Sequence, residues 1–120
     1  MSLKDTLANI VHSVEGSRAA VVLASDGIPI DEFVADQEGF DLQLLAVQYA
    51  TVLRDVKRTI GMLEIGNAEE LCITTGALHV ALRMLADDLF VIVVLDRDGN
   101  CGKARYMLRL KSGELYEELC

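Results

Sequence analysis

Arg18-Ala19-Ala20-Val21-Val22-Leu23-Ala24-Ser25-Asp26-Gly27-Ile28-Pro29-Ile30-Asp31-Glu32-Phe33-Val34 is the stretch on which the fold turns. It holds two apolar runs, Arg18–Ser25 and Ile28–Val34, separated only by Asp26-Gly27. Asp-Gly fits a type I′ turn, whose central residues both need positive φ, so the runs are expected to pair as a β-hairpin. Ala19–Ala24 is apolar at every position, the pattern of a strand covered on both faces. Pro29 has no N–H for a ladder, which puts the second strand at an edge or starts it there.

Upstream, Leu3, Leu7, Ile10, Val11 and Val14 recur at helical spacing, and Gly16 stops a first helix expected over Ser2–Glu15. Downstream, Phe40–Leu63 is the longest periodic segment and is expected to be the second helix. Glu69–Thr75, Leu78–Leu85 and Leu89–Leu95 read as three further strands, turned at Thr75-Gly76-Ala77 and Ala86-Asp87-Asp88. The polar loop Asp96–Asn100 leads into a third helix over Gly102–Leu119. Its interior Gly113 costs about 1 kcal/mol relative to alanine, so a break is expected there. Leu89–Leu95 is apolar throughout and therefore central, whereas Glu69-Glu70 opens a strand suited to the other edge. The expected fold is α/β (α+β): one domain over 1–120, αββαβββα, with a largely antiparallel sheet ordered 2-1-5-4-3. Helices 1 and 3 are expected on one face and helix 2 on the other.

The 120 residues carry 11 Lys+Arg against 19 Asp+Glu, a net charge of -8. That balance argues against nucleic acid or an anionic membrane as the main partner, since both want a basic face. With 3 Phe, 3 Tyr and no Trp there is little to stack on bases. At 52% hydrophobic residues the chain is too apolar for disorder, yet no run approaches the roughly 18–20 residues of a membrane span. Lys4 and Asp5 interrupt any signal-peptide core. Cys72, Cys101 and Cys120 are an odd number without a Cys-x-x-Cys, so neither a disulfide framework nor a zinc ribbon is expected, and the reducing cytoplasm is the expected compartment.

The αββαβββα order, the hairpin Val-Val-Leu-Ala-Ser-Asp-Gly-Ile-Pro-Ile over 21–30 and the turn-to-helix Asn100-Cys101-Gly102-Lys103-Ala104-Arg105 resemble the roadblock/LC7 family, most of all its prokaryotic MglB-type branch. The resemblance covers essentially the whole chain, and the hairpin is its most specific part. It implies a profilin-like fold and a homodimeric regulator or scaffold of a Ras-like small GTPase. It also implies that two sheets join at the third strand, that the second helices pack as a pair, and that any effect on GTP hydrolysis comes from reshaping the GTPase's own switch segments.

The residues support an assembly on their own terms. On helix 2 the core stripe is expected to be Leu42, Leu45, Tyr49, Leu53, Val56 and Ile60. The opposite side holds Phe40, Leu44, Val47, Thr51, Arg54, Asp55 and Arg58, so its first half is apolar where a solvated helix is polar. A second copy of the helix, a partner protein or deeper burial in a monomer would each cover it. An edge made of Leu71, Cys72, Ile73 and Thr74 without proline is an aggregation hazard unless it is paired or covered. Pairing with its symmetry mate closes it, and the acidic pair beside it is the plainer guard. Arg54, Lys57 and Arg58 form a basic cluster on an acidic chain, either a contact for a GTPase or a solvated face.

No enzymatic site is legible, and no cofactor is expected. Gly99-Asn100-Cys101-Gly102-Lys103-Ala104 has neither the spacing nor the hydroxyl of a P-loop. Asp96-Arg97-Asp98-Gly99-Asn100 starts like an EF-hand loop, but its glycine comes two positions early and Met107 stands where the bidentate Glu belongs. His12 and His79 lack a second ligand at metal spacing. Cys101, next to a helix start, is the cysteine whose reactivity is worth testing. Cys120 lacks the three following residues of a prenylation box. The expected function is therefore a non-enzymatic homodimer binding a Ras-like GTPase through Leu44, Val47, Thr51, Arg54 and Arg58. A structural adaptor is the alternative, and a small-molecule sensor the weaker third reading.

Overall fold

A computed structural model describes residues 2–119, so Met1 and Cys120 lie outside the described residues. The elements run α1 (Leu3–Ser13), β1 (Ser17–Ala24), β2 (Pro29–Val34), α2 (Leu42–Leu63), β3 (Glu70–Thr74), β4 (Leu78–Ala86), β5 (Leu89–Asp96) and α3 (Cys101–Leu119). All eight fall where the sequence puts them, with ends that move by at most two residues. The five strands form one antiparallel sheet ordered β2-β1-β5-β4-β3.

Each helix start follows from local chemistry. Ser2 caps α1 in a capping box: its hydroxyl accepts the Asp5 N–H, and the Asp5 carboxylate accepts the Ser2 N–H. Asp41 caps α2 by accepting the Leu44 N–H at 3.2 Å. Phe40, expected inside that helix, precedes the cap, and the Arg18 guanidinium lies 4.9 Å from its ring centroid. Arg18 also pairs with Asp36 at 3.3 Å and Asp96 at 3.6 Å, tying the start of β1 to the β2–α2 connection and the end of β5. Asn100 caps α3 through the Lys103 N–H at 3.0 Å.

The hairpin forms, but not with the expected turn. Only Gly27 has positive φ (+89°) there; Asp26 does not. The Gly27 N–H donates to Ala24 O, the Ala24 N–H donates to Ile28 O, and the Asp26 carboxylate accepts the Ile28 N–H at 3.1 Å. This is a three-residue loop ending in a left-handed glycine, the next commonest hairpin after the two-residue types. Asp26 supplies a side-chain acceptor in place of a left-handed backbone.

Side chains alternate into two cores. Leu7, Ile10 and Val11 of α1 and Ala104, Leu108 and Leu115 of α3 pack on Ala20, Val22, Ala81, Val91 and Val93. On the other face α2 covers Ala19, Val21, Leu23, Val80, Leu82, Phe90 and Ile92. The sheet is thus a shared wall, and β1 and β5 are buried on both sides, as their unbroken apolar runs required. α3 runs through Gly113 without a break, because Leu108 and Leu115 anchor the helix on either side of it.

The Asp96–Asn100 loop is a clasp between two chain reversals. The Asp96 N–H donates to Gly16 O at 2.8 Å, and the Asn100 N–H to Glu15 O at 2.9 Å. A Cβ on Gly16 would sit 2.5 Å from Gly99 Cα, so both glycines are required by this close approach.

Candidate interaction surface

The face α2 turns to the sheet is rotated from the one its large apolar residues indicate. Leu42, Ala46, Ala50 and Leu53 are buried, whereas Leu45, Tyr49, Val56 and Ile60 are only half-buried. Ala46 and Ala50, one turn apart, are buried, and a Cβ on Gly27 would stand 3.5 Å from Ala50 Cβ, so small residues sit where the helix passes the hairpin tip and larger ones lie on the flank. Burial also raises the Tyr49 phenol above its ordinary pKa.

The rotation leaves two apolar lines outside. Leu44, Val47, Thr51, Arg54 and Arg58 form the first, and all five are exposed, Leu44 at 57% and Val47 at 46%. This line borders the hairpin tip, where a Cβ on Gly27 would stand 3.5 Å from Val47 Cα. Arg54, Lys57, Ser25 and Asp26 surround a hollow of about 260 Å³ floored by Ala50 and Leu53. Of the three cations, Lys57 donates to Asp87 O at 2.6 Å and Arg58 pairs with Asp55 at 3.2 Å. Arg54 has no ion-pair partner among the described residues. The second line, Val52, Val56 and Ile60 with Asp55 and Thr59, walls a groove of about 300 Å³. Sequence reasoning assigned Val56 and Ile60 to the core; the Ala46/Ala50 spacing was the signal that could have moved them out.

β3 is a free edge. The Thr75 N–H donates to Leu78 O and the Met84 N–H to Glu69 O, both in the register that pairs Cys72 with Ala81. Antiparallel alternation then turns the backbone groups of Leu71 and Ile73 toward β4 and those of Glu70, Cys72 and Thr74 toward the open side. The side chains sort the other way: Leu71 packs with the α2 core, and Cys72 points to the α3 face. Glu70 does not guard the edge as a free charge. It binds Arg83 at 3.5 Å and Arg105 of α3 in a charge-assisted contact. Burial first, then the neighbouring Glu70 carboxylate, push the Cys72 thiol up to about 11.

The remaining candidates lie apart from the outer face of α2. His12 meets Phe33 edge-on at 5.1 Å between ring centroids, and His79 Nδ1 lies 2.8 Å from Thr74 Oγ1. Cys101 opens α3, half-buried. Among the described residues no group of three or more His, Cys, Asp or Glu gathers as a metal would require, and no helix is long and apolar enough to cross a membrane.

Scanned against protein-family models the sequence matches none, and none of the curated proteins matches it. Solved structures do match. The chain is 32% identical to MglC from Myxococcus xanthus, with 98% of this chain and 99% of that one covered and a TM-score of 0.70. A roadblock/LC7 domain from Streptomyces avermitilis is 15% identical, with 99% and 98% covered and a TM-score of 0.81. An MglB structure with a tetrameric arrangement is 15% identical, with 95% and 85% covered and a TM-score of 0.85.

Proposed function

Because the chain belongs to the roadblock/LC7 family, we propose that it works without catalysis of its own, as a homodimer that binds and regulates a Ras-like small GTPase. The observation that carries this reading is the outer face of α2: two apolar lines, Leu44–Val47–Thr51 and Val52–Val56–Ile60, beside an unpaired strand edge. Ile60 of the second line shares a hollow with Asn67 and Ala68, just before β3, and this side suits a second copy. The first line ends in Arg54 and Arg58 and suits the GTPase. Exposed cations at a rim steer encounter more than they hold the complex, while apolar anchors govern dissociation. Arg54 would orient the partner, and any acceleration of hydrolysis would come from holding the partner's switch segments ordered. Its likeness to MglC and to MglB structures supports this pathway.

The test takes a purified Ras-like small GTPase, loaded with GDP or a non-hydrolysable GTP analogue, and measures binding by calorimetry and single-turnover hydrolysis. The analogue-bound form should bind, and Val47→Asp should weaken it by about 2 kcal/mol or more, the cost of a charge at a buried apolar anchor. A Val47→Asp protein that binds normally overturns the helix assignment. Binding with an unchanged hydrolysis rate moves the protein to the adaptor reading.

A further inference from the structure

Gly113 poses a problem that the fold leaves open. It sits in the middle of the 19-residue α3, on its exposed side, and a Cβ built there meets nothing within 4 Å. Glycine at such a position costs about 1 kcal/mol of helix stability relative to alanine. Nothing inside the chain requires its absence of a side chain, so the reason lies outside.

The same side of α3 carries a line of residues with a particular symmetry. Tyr106, Leu110, Gly113 and Glu117 are all exposed, Tyr106 at 53% and Leu110 at 58%. Their separations are four, three and four residues, a pattern that reads the same in both directions. Lys103 lies at the start of this line, and Arg109 and Tyr116 lie along one flank of it, all exposed. Other charges of α3 are occupied: Arg105 by Glu70, Lys111 by Glu114, and Glu118 by the Thr6 hydroxyl. Lys103, Arg109 and Glu117 have no ion-pair partner among the described residues.

We infer that the outer face of α3 is a self-complementary contact that takes a second copy of the same helix, antiparallel, through Tyr106, Leu110, Gly113 and Glu117. Reversing the line brings each Leu110 over the other copy's Gly113, where a missing side chain lets the helices approach. It brings each Glu117 to the other copy's Tyr106 hydroxyl, with the Lys103 ammonium one turn away. In an antiparallel pair, matching flanks meet, so Arg109 reaches the face of the other Tyr116 ring. Every contact occurs twice, as a twofold interface requires. The complementary charges decide for a second copy over an acidic partner helix, because Glu117 stands on the face itself. The line spans about 16 Å of helix at 1.5 Å per residue. Such a contact is smaller than a standard interface and is weak. It lies across the sheet from α2, so it adds to any joining through α2 and β3 and does not depend on it.

Sedimentation equilibrium of the full chain at low salt tests this, from about 10 μM to about 1 mM, the range a small interface calls for. The average mass should rise toward twice its low-concentration value. Gly113→Gln should weaken that step at least tenfold while raising the thermal midpoint, since it fills the approach site yet improves the helix. This pairing of effects separates assembly from folding. Glu117→Lys should weaken the step and Lys103→Glu combined with it should restore it, whereas Glu38→Lys, exposed in the β2–α2 connection, should leave it unchanged. A mass that does not rise, or a Gly113→Gln protein that associates like the parent, overturns the inference.

Discussion

Cys72 illustrates how a single residue acquires a property from its fold neighbours. Its thiol is partly shielded on an otherwise exposed residue and faces the Glu70 carboxylate, so ionisation is opposed twice and the pKa rises from 9.0 to about 11. The folded chain therefore holds this proton more tightly than the unfolded one. Its contribution to stability is full below about pH 9 and is lost as pH rises through about 11. In a variant with Cys101 and Cys120 replaced by serine, the ultraviolet absorbance of the thiolate should appear with a midpoint near 11. Glu70→Gln should move that midpoint down; an unmoved midpoint would leave burial as the sole cause. The sequence placed Cys72 two residues from Glu70 on one face of an edge strand, but the shielding that raises the thiol comes from the packed neighbours and is not legible there. Asp26 teaches a similar lesson: Asp-Gly marked the hairpin correctly, while the side-chain bond to the Ile28 N–H selected the longer turn.

At the scale of elements, the strands were legible because burial writes itself directly into them. Leu89–Leu95 and Ala19–Ala24 have no polar position to spare, and a strand so placed must be central. α2 was legible as a helix but not in its rotation. A stripe chosen by hydrophobicity favours leucine, valine and isoleucine; passage beside the hairpin tip favours small residues, which here are Ala46 and Ala50. The error matters for function, since the same rotation exposes Val52 and half-exposes Val56 and Ile60. Ala50→Leu should test the packing argument. Forcing a larger side chain into this buried site beside Gly27 should lower stability by about 1–3 kcal/mol in urea denaturation. Thr51→Leu, one residue on and exposed, should change it by less than about 0.5 kcal/mol.

At the scale of the whole molecule, the two sheet edges are not equivalent. β2 begins at Pro29, carries Asp31 and Glu32, and has α1 packed across it, all of which discourage another strand. β3 has no proline, and its one inward acid is neutralised by Arg83 and Arg105. Full overlap of two antiparallel β3 strands would set Cys72 opposite its own copy, with three residues on each side turned to the mate. Cys72→Pro removes an N–H that faces the open side, so the fold should persist while the assembly through this edge is lost, read as mass by light scattering. Ile73→Pro removes an N–H bonded to β4 and should destabilise the fold itself by several kcal/mol, on the order of the roughly 3 kcal/mol seen for misplaced proline. Equal effects of the two would contradict the proposed joining.

Sequence alone determined the order of elements, the sheet order, the central and edge strands and the absence of a legible catalytic motif. Those features follow from local periodicity and from which residues can leave water, and both are written in the chain one segment at a time. Tertiary structure alone decided which side of α2 meets the sheet, where Glu70 spends its charge, and that the face of α3 carrying Tyr106, Leu110, Gly113 and Glu117 is left exposed. Each of these depends on which distant residue arrives opposite, and only the packed sheet with its two layers of helices brings those residues together.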